Sequence, residues 1–236
     1  MALGRAEIGW FPGLQDPTGE STWPPAVVLM AHLASSRGRA LLHGKDVLEL
    51  GAGNGALAKA VAVNAQPRKL VATDLPHRVE ENKSLMGWGM RGVRAAALHW
   101  GDAAAVAQLC REHFGRPHAQ VVLISDCLYT NWVEDSAHLL AKTLHAALAS
   151  ESGLGAEEMD ASGIALLAYL PRSGPLEAHF FECVQHVYGL QTLPKPLPVP
   201  WKKERCPSTA HLKGGACRAC SHFGLHFSGK KGPAML

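Results

Sequence analysis

Residues 47–58, VLELGAGNGALA, carry the turn on which the fold depends. An apolar run closes at Glu49 and Leu50, and three glycines follow at alternate positions, Gly51, Gly53 and Gly55, before an alanine-rich helical pattern. Glycine accepts the left-handed backbone of a sharp strand-to-helix turn and lets a ligand lie close to the main chain. The helix N–H groups beyond such a turn favour anionic groups. The spacing Gly51-x-Gly53-x-x-Ala56 also satisfies a relaxed dinucleotide fingerprint, so this segment alone does not choose between cofactors.

Outward from that turn, strand-like and helix-like stretches alternate. Upstream, PPAVVLMAHLASS (24–36) reads as a helix with prolines in its first turn, where the missing N–H costs nothing. Downstream come KLVATD (69–74), a polar helix from about Arg78 to Trp88, VRAAALHW (93–100) and DAAAVAQLCREHF (102–114). QVVLISD (120–126) reads as a strand, and WVEDSAHLLAKTLHAALAS (132–150) as the longest amphipathic helix. GIALLAYLPR (163–172) and PLEAHFFECVQHVYG (175–189) complete five strand–helix units. The strands are nearly unbroken apolar runs, the signature of a parallel sheet covered on both faces by helices.

A polar loop, ESGLGAEEMDAS (151–162), separates the last two units, and from Lys195 the chain turns proline- and glycine-rich with little periodicity. SHFGLHFS (221–228) puts Phe223, Leu225 and Phe227 on one face, a weak strand signal. The expected division is therefore 1–193 as one domain and 194–236 as an irregular segment that lends a last strand near 222–228.

Composition narrows the function classes. With 236 residues, 47% of them hydrophobic, the chain can bury one large core. A net charge of only +3, with scattered basic residues, argues against nucleic acid or a membrane surface as the partner. The first residues, MALGRAEIGWFPGLQD, hold no apolar signal region, and the apolar run IALLAYL (164–170) is far too short to span a bilayer. Of six cysteines, Cys110, Cys127 and Cys183 fall in apolar patterns where free buried thiols are usual. The expectation is a reduced, cytoplasmic protein, present in the nucleus as well or not, and monomeric.

Three acidic positions follow strands. Asp74 closes VATD and is suited to a ribose diol, or to capping the helix after Pro76. In HWGD (99–102), Trp100 offers an apolar wall for a purine, and Asp102 either accepts from its exocyclic amine or caps the next helix. In SDCLYTNW (125–132), Asp126 and Tyr129 stand three apart: a helix cap with a packed ring, or the floor of an active site.

Taken in order, TGESTWPPAVVLMAHL (18–33), GKDVLELGAGNG (44–55), VATDL (71–75), ENK around Asn82, HWGD, SDCLY (125–129) and LLAYLPR (167–172) resemble the seven-β-strand methyltransferases that use S-adenosylmethionine. More narrowly they resemble the non-SET protein-lysine methyltransferases with a D-x-x-Y motif. The resemblance covers roughly residues 18 to 190. The glycine motif is widely shared, whereas an upstream tryptophan, W-G and D-x-x-Y together are specific and decide against NAD.

The resemblance implies a Rossmann-like, mostly parallel seven-stranded sheet with a reversed last strand and helices on both faces. It implies S-adenosylmethionine under Gly51, Gly53 and Gly55, with Glu49 near its amino end and Asp74 on the ribose. Leu75 and Trp100 would flank adenine, with Asp102 at its amine; Ser125 would line the cofactor, and Trp23 would close over it from the N-terminal helix. Asp126 and Tyr129 would be the catalytic pair, and the substrate a lysine on a non-histone cytosolic protein, with a chaperone or translation factor as partner. A histidine or small-molecule acceptor on the same fold, or a non-catalytic binding protein that retains it, are the alternatives.

The chemistry constrains the carboxylate's role. Methyl transfer needs an uncharged amine, and removing the proton from an ordinary lysine at pH 7 costs about 4.6 kcal/mol. A carboxylate favours the ammonium, so Asp126 is cast as the group that binds and aims the lysine, not as the one that lowers its pKa. Tyr129 would narrow the channel and present its ring to a cation.

The chain departs from the family at its end. VYGLQTL (187–193) can supply the first strand of a terminal hairpin, but its partner lies beyond an unusually long loop. That loop holds Cys206, His211, Cys217, Cys220 and His222, with His226 beyond, a weak metal-binding pattern from which no metal site is expected.

Overall fold

The computed structural model describes residues 21–81, 92–128, 135–149, 163–172, 174–194 and 225–228. Five parallel strands form its centre: β1 (Asp46–Leu50), β2 (Lys69–Asp74), β3 (Val93–Ala97), β4 (Val121–Ser125) and β5 (Ile164–Ala168). Their spatial order is β3-β2-β1-β4-β5. The chain runs outward from β1 to β3, then crosses back to β4, so the sheet reverses direction between β1 and β4. Ligands of open α/β sheets bind at such a switch point, beyond the carboxyl ends of the strands.

Strand alternation sends Val47, Leu70, Leu123 and Leu166 to one face and Leu48, Val71, Val122 and Leu167 to the other, which explains why the strands read as continuous apolar runs. The first face is covered by α1 (Pro24–Leu33), α2 (Ser36–Leu42) and α3 (Ala56–Ala65) through Leu29, Leu33, Leu42, Leu57 and Val61. The second is covered by α5 (Ala103–Phe114), α6 (Ser136–Leu148) and α7 (Gly174–Glu182) through Val106, Leu140, Leu144 and Phe180. Each such leucine removed from water contributes about 1.5–3 kcal/mol. A short α4 (Pro76–Glu81) follows β2.

Several expectations need correction. The first helix does not continue to 36; it ends at Leu33, and Ser35 caps a second helix by accepting from Gly38 N at 3.1 Å. A side chain at Gly38 would place its Cβ 2.2 Å from His32 O, so glycine permits this tight corner. The helix expected from 132 begins, among the described residues, at Ser136 after Asp135. The last helix passes into a π-helical turn, Cys183–Val187. The cysteine- and histidine-bearing loop at 206–222 lies outside the described residues.

Past β5, two short backbone segments extend the sheet. β7 (Leu225–Ser228) runs antiparallel to β5, with Ile164 opposite Ser228, and β6 (Gln191–Pro194) runs antiparallel to β7. Among the described residues no helix is long and apolar enough to cross a membrane.

Candidate active site

The glycine loop begins where β1 ends. Gly51, Gly53 and Gly55 have φ of 68°, 53° and 72°, the left-handed region that other residues enter only at a cost. Neighbouring strand ends pin the loop: Ala52 N donates to Thr73 O at 2.9 Å and Gly53 N donates to Asp74 Oδ2 at 2.7 Å. Asn54 turns its side chain to both sides, donating to Thr22 Oγ1 at 3.0 Å and accepting from Ala56 N at 3.1 Å. The segment before α1 is thereby tied to the loop.

Asp74 is half-buried, and its second oxygen accepts from Leu75 N at 2.7 Å. A carboxylate offers about four acceptor positions, so both oxygens retain capacity for a pair of hydroxyls. Glu49 differs. It is only 1% exposed, shares the Val47 face under α3, and accepts from Ala58 N; Oε2 finds no hydrogen-bond partner among the described residues. Burial first, and the nearby Asp74 charge second, push its carboxyl up to about 8. At neutral pH it is mostly protonated, and an arriving cation would favour its ionised form.

Trp100, half-buried, closes the far side. A side chain at Gly51 would put its Cβ 2.6 Å from Cys127 Sγ and 3.4 Å from the Trp100 ring, so the loop passes directly over both. Gly101, at φ 91°, brings the tryptophan turn onto α6: its N–H donates to Thr143 Oγ1 at 2.7 Å, and a Cβ there would meet Leu139 at 2.6 Å. The W-G pair is thus a docking turn as well as a wall. Asp102 is exposed and caps α5, accepting from Ala105 N at 2.9 Å. Leu75 is 39% exposed. Ser125 pairs with Ala168 across the strands, and its Oγ is buried with no hydrogen-bond partner among the described residues.

Cys127 is buried, and its thiol donates to Leu50 O at 3.4 Å. Burial pushes that thiol well above its ordinary value, and the charges of Asp74, Asp126 and Glu49 add to the effect. The three carboxyls thus gather around one spot beneath the glycine loop. Acidic groups there, an orphaned buried oxygen on Glu49, and a left-handed loop with no room for side chains at Gly51 suit a ligand that carries both a diol and a cation. S-adenosylmethionine, with its ribose, ammonium and sulfonium, fits that donor set.

Among the described residues Asp126 caps no helix; the segment from 129 to 134 lies outside them. Asp126 sits at φ 55°, beyond the end of β4, with its N–H on Ala168 O at 2.7 Å. Its side chain is 3% exposed and is held in a fork: Arg172 Nη1 donates to Oδ1 and Nη2 to Oδ2, both at 2.7 Å, while Leu170 N donates to Oδ1 at 3.2 Å. Among the described residues Oδ2 therefore accepts one bond and keeps one position open. The Arg172 guanidinium carbon lies 5.7 Å from the centre of the Trp23 ring, within cation–π range, and Trp23 is the residue that precedes α1. Arg172 N donates to Glu177 Oε1 at 2.8 Å, which fixes the turn between β5 and α7.

The structure thus brings together Glu49, Gly51, Gly53, Gly55, Asp74, Trp100 and Asp126, and reaches Trp23 through Arg172. It leaves Asp102 at the edge as a cap. Tyr129 lies outside the described residues. In the sequence Arg172 stands inside LLAYLPR without a role, Cys127 reads only as a buried free thiol, which the structure bears out, and nothing signals the Thr22–Asn54 tie. The available signal was a lone arginine just past a buried strand that neighbours the strand leading to Asp126. Among the described residues no group of histidine, cysteine and acidic side chains could hold a metal ion.

A family model described as lysine methyltransferase matches residues 12–184, well over half of the chain. In fold the chain is similar to a TehB-like SAM-dependent methyltransferase from Corynebacterium glutamicum, with TM-score 0.51 and 16% identity over 89% of this chain and 90% of that one. It is also similar to a SAM-dependent methyltransferase from Aquifex aeolicus, with TM-score 0.50 and 10% identity over 86% and 92%. Fibrillarin from Aeropyrum pernix, solved with natively bound S-adenosyl-L-methionine, gives TM-score 0.50 and 12% identity over 79% and 67%. At these identities the likeness is one of fold. A comparison with curated proteins finds no significant match.

Proposed function

The chain belongs to the lysine methyltransferase family and is an S-adenosylmethionine-dependent methyltransferase, and from that premise we propose that it methylates the ε-nitrogen of a lysine on another protein. The observation that carries this reading is the Asp126 carboxylate, buried beyond β4 at the switch point, whose Oδ2 accepts a single bond among the described residues. Bound S-adenosylmethionine supplies an electrophilic methyl, which passes to the nitrogen lone pair while the C–S bonding pair stays on sulfur.

In this reading the chain's own residues bind and aim. Gly51, Gly53 and Gly55 give the methionyl part a close bed, Glu49 faces its ammonium, and Asp74 accepts from the ribose hydroxyls. Trp100 and Leu75 flank the adenine, Asp102 stands at its edge, the Ser125 backbone lines the cofactor, and Trp23 covers it. Asp126 accepts a hydrogen bond from the incoming amine, and Tyr129 narrows the approach. Most of the acceleration then comes from alignment, since well-oriented reactants can recover about 7–11 kcal/mol of the barrier. Two like or opposite charges about 4 Å apart near a protein surface interact by about 4 kcal/mol. Whether Asp126 acts alone or paired therefore decides the state of the amine. We read residues 1–193 as the methyltransferase domain, with β6 and β7 as its reversed edge and β7 lent by the C-terminal segment.

The test is incubation of the protein with methyl-labelled S-adenosylmethionine and a whole-cell extract, followed by acid hydrolysis of the labelled band. Methyl-lysine is expected, and Asp126→Ala should lower labelling more than about a hundredfold, the scale on which aligned polar groups act in catalysis. Its cofactor affinity should stay within about threefold, well under 1 kcal/mol. Label on histidine or on a small molecule would replace this reading with another acceptor.

A further inference from the structure

The resemblance assigns no task to Arg172, yet the residue is held as firmly as any in the site. Its fork engages both oxygens of Asp126, its N–H is fixed by Glu177, and its guanidinium faces Trp23. It joins the ends of β4 and β5, the start of α7 and the start of α1. A guanidinium does not lose its proton in a protein, so beside the carboxylate it makes a pair without net charge. A lysine ammonium would lose a proton less readily beside an unpaired carboxylate than beside a neutral pair. Among the described residues the other titratable groups near the pair are acidic or weakly acidic: Glu177 from the first turn of α7, the Cys127 thiol, and the Asp74 and Glu49 carboxyls that act on that thiol. Without Arg172 the acceptor end would be an anionic pocket that holds lysine in its unreactive form.

We propose that Arg172 is a positioning residue that keeps Asp126 as one half of a neutral pair, so that the site takes the lysine ε-nitrogen as an uncharged amine rather than as ammonium. Among the described residues Oδ2 accepts only from Arg172, which leaves it a position for an amine N–H, while Arg172 and Leu170 N hold the carboxylate's orientation. Arginine suits the task better than lysine, because its planar fork fixes a carboxylate in two places. This inference rests on the lysine reading above.

The test compares the wild type with Arg172→Gln and with Arg172→Gln combined with Asp126→Asn, using the extract assay from pH 6.5 to 10 at saturating S-adenosylmethionine. Arg172→Gln should lose about tenfold at pH 7, and the loss should shrink as pH approaches 10, as the rising limb shifts upward by about one unit. Adding Asp126→Asn should move the limb back, because the uncompensated charge is gone. An equal loss at every pH, uncorrected by the second change, overturns the proposal in favour of a purely structural tie.

A second readout needs no transfer. NMR titration of the protein without cofactor, using n-butylamine as a probe of the lysine side chain, should show affinity rising with pH in the wild type. In Arg172→Gln the affinity should be flat or fall over the same range, as the cation becomes the preferred form. The same pH trend in both proteins overturns the proposal. Hydrolysis of the labelled band reports separately on the acceptor: label away from lysine defeats the lysine reading, while the butylamine trend still reads what Arg172 does to the site.

Discussion

Two buried aspartates, at opposite ends of adjacent strands, meet arginines in different ways. Asp46 opens β1 and is fully buried; Arg68 Nη2 pairs with it, and Arg116 Nε lies 3.5 Å away. Arg68 also donates to Phe114 O at 3.1 Å, and Asp46 N to the Gln120 side chain at 3.1 Å. Those bonds join β1, the start of β2 and the turn from α5 into β4, at the end of the sheet away from the glycine loop. Asp126 lies beyond β4 at the glycine-loop end, forked by one arginine and bonded to Leu170 N. Both aspartates are ion-paired and both reach across the chain. The difference is what surrounds them: Asp46 is enclosed by strand starts, whereas Asp126 stands with the loop, Cys127 and two further carboxyls. In open α/β sheets ligands bind beyond the carboxyl ends of the strands, so the two ion pairs sit at ends with different prospects: the closed end suits stability, and the loop end suits the ligand role proposed above.

Substitutions can break or sharpen that contrast. The largest effect is expected at the closed end. Asp46→Ala removes the carboxylate that Arg68 and Arg116 approach and should cost about 3 kcal/mol in urea unfolding, the low end for a broken buried pair, because both arginines reach water. S-adenosylmethionine affinity of the folded protein should not change; a weakened affinity with normal stability would dissolve the distinction between the ends.

At the cofactor end Asp74→Ala should weaken S-adenosylmethionine binding about thirtyfold, roughly 2 kcal/mol, when measured by calorimetry. Part of that loss comes from releasing Gly53 N, so Asp74→Asn should bind better than Asp74→Ala. Unchanged affinity in both would remove the ribose role.

The smallest effect concerns Glu49. Its carboxyl titrates near 8 in the free protein, above the ordinary value, so the proton is held below that pH and lost as pH rises through it. If the cofactor ammonium needs the ionised form, affinity should rise about fivefold between pH 7 and 8, with proton release on binding. Glu49→Gln should flatten that profile. For folding the sign is the opposite: between about 4.5 and 8 the native state holds a proton that the unfolded chain gives up, so Glu49 lowers stability as pH rises across that window.

Legibility in the sequence followed how local each decision is. The glycine loop was readable because φ above zero at Gly51, Gly53 and Gly55 restricts the residue type itself. At Asp102 the sequence leaves two roles open, and the cap is settled within three residues, here by Ala105 N. The break between α1 and α2 is also local, but Ser35 resembles any polar residue in a helix until Gly38 is seen packed against His32. The π-helical turn at Cys183–Val187 leaves no pattern, because one extra residue per turn is absorbed by packing against α6.

Arg172 and Asp126 stand 46 positions apart. Nothing in either segment signals the other, since their meeting depends on β4 and β5 lying side by side in register, Ser125 against Ala168. The sequence by itself determined the strand–helix alternation, the left-handed loop and the acidic groups that end the strands, because these depend on periodicity, on glycine's missing side chain and on chain position. Only the tertiary structure decided that the Asp126 carboxylate is half of a neutral pair rather than a free charge. An electrostatic environment is a sum over neighbours in space, and these neighbours come from four separate segments of the chain.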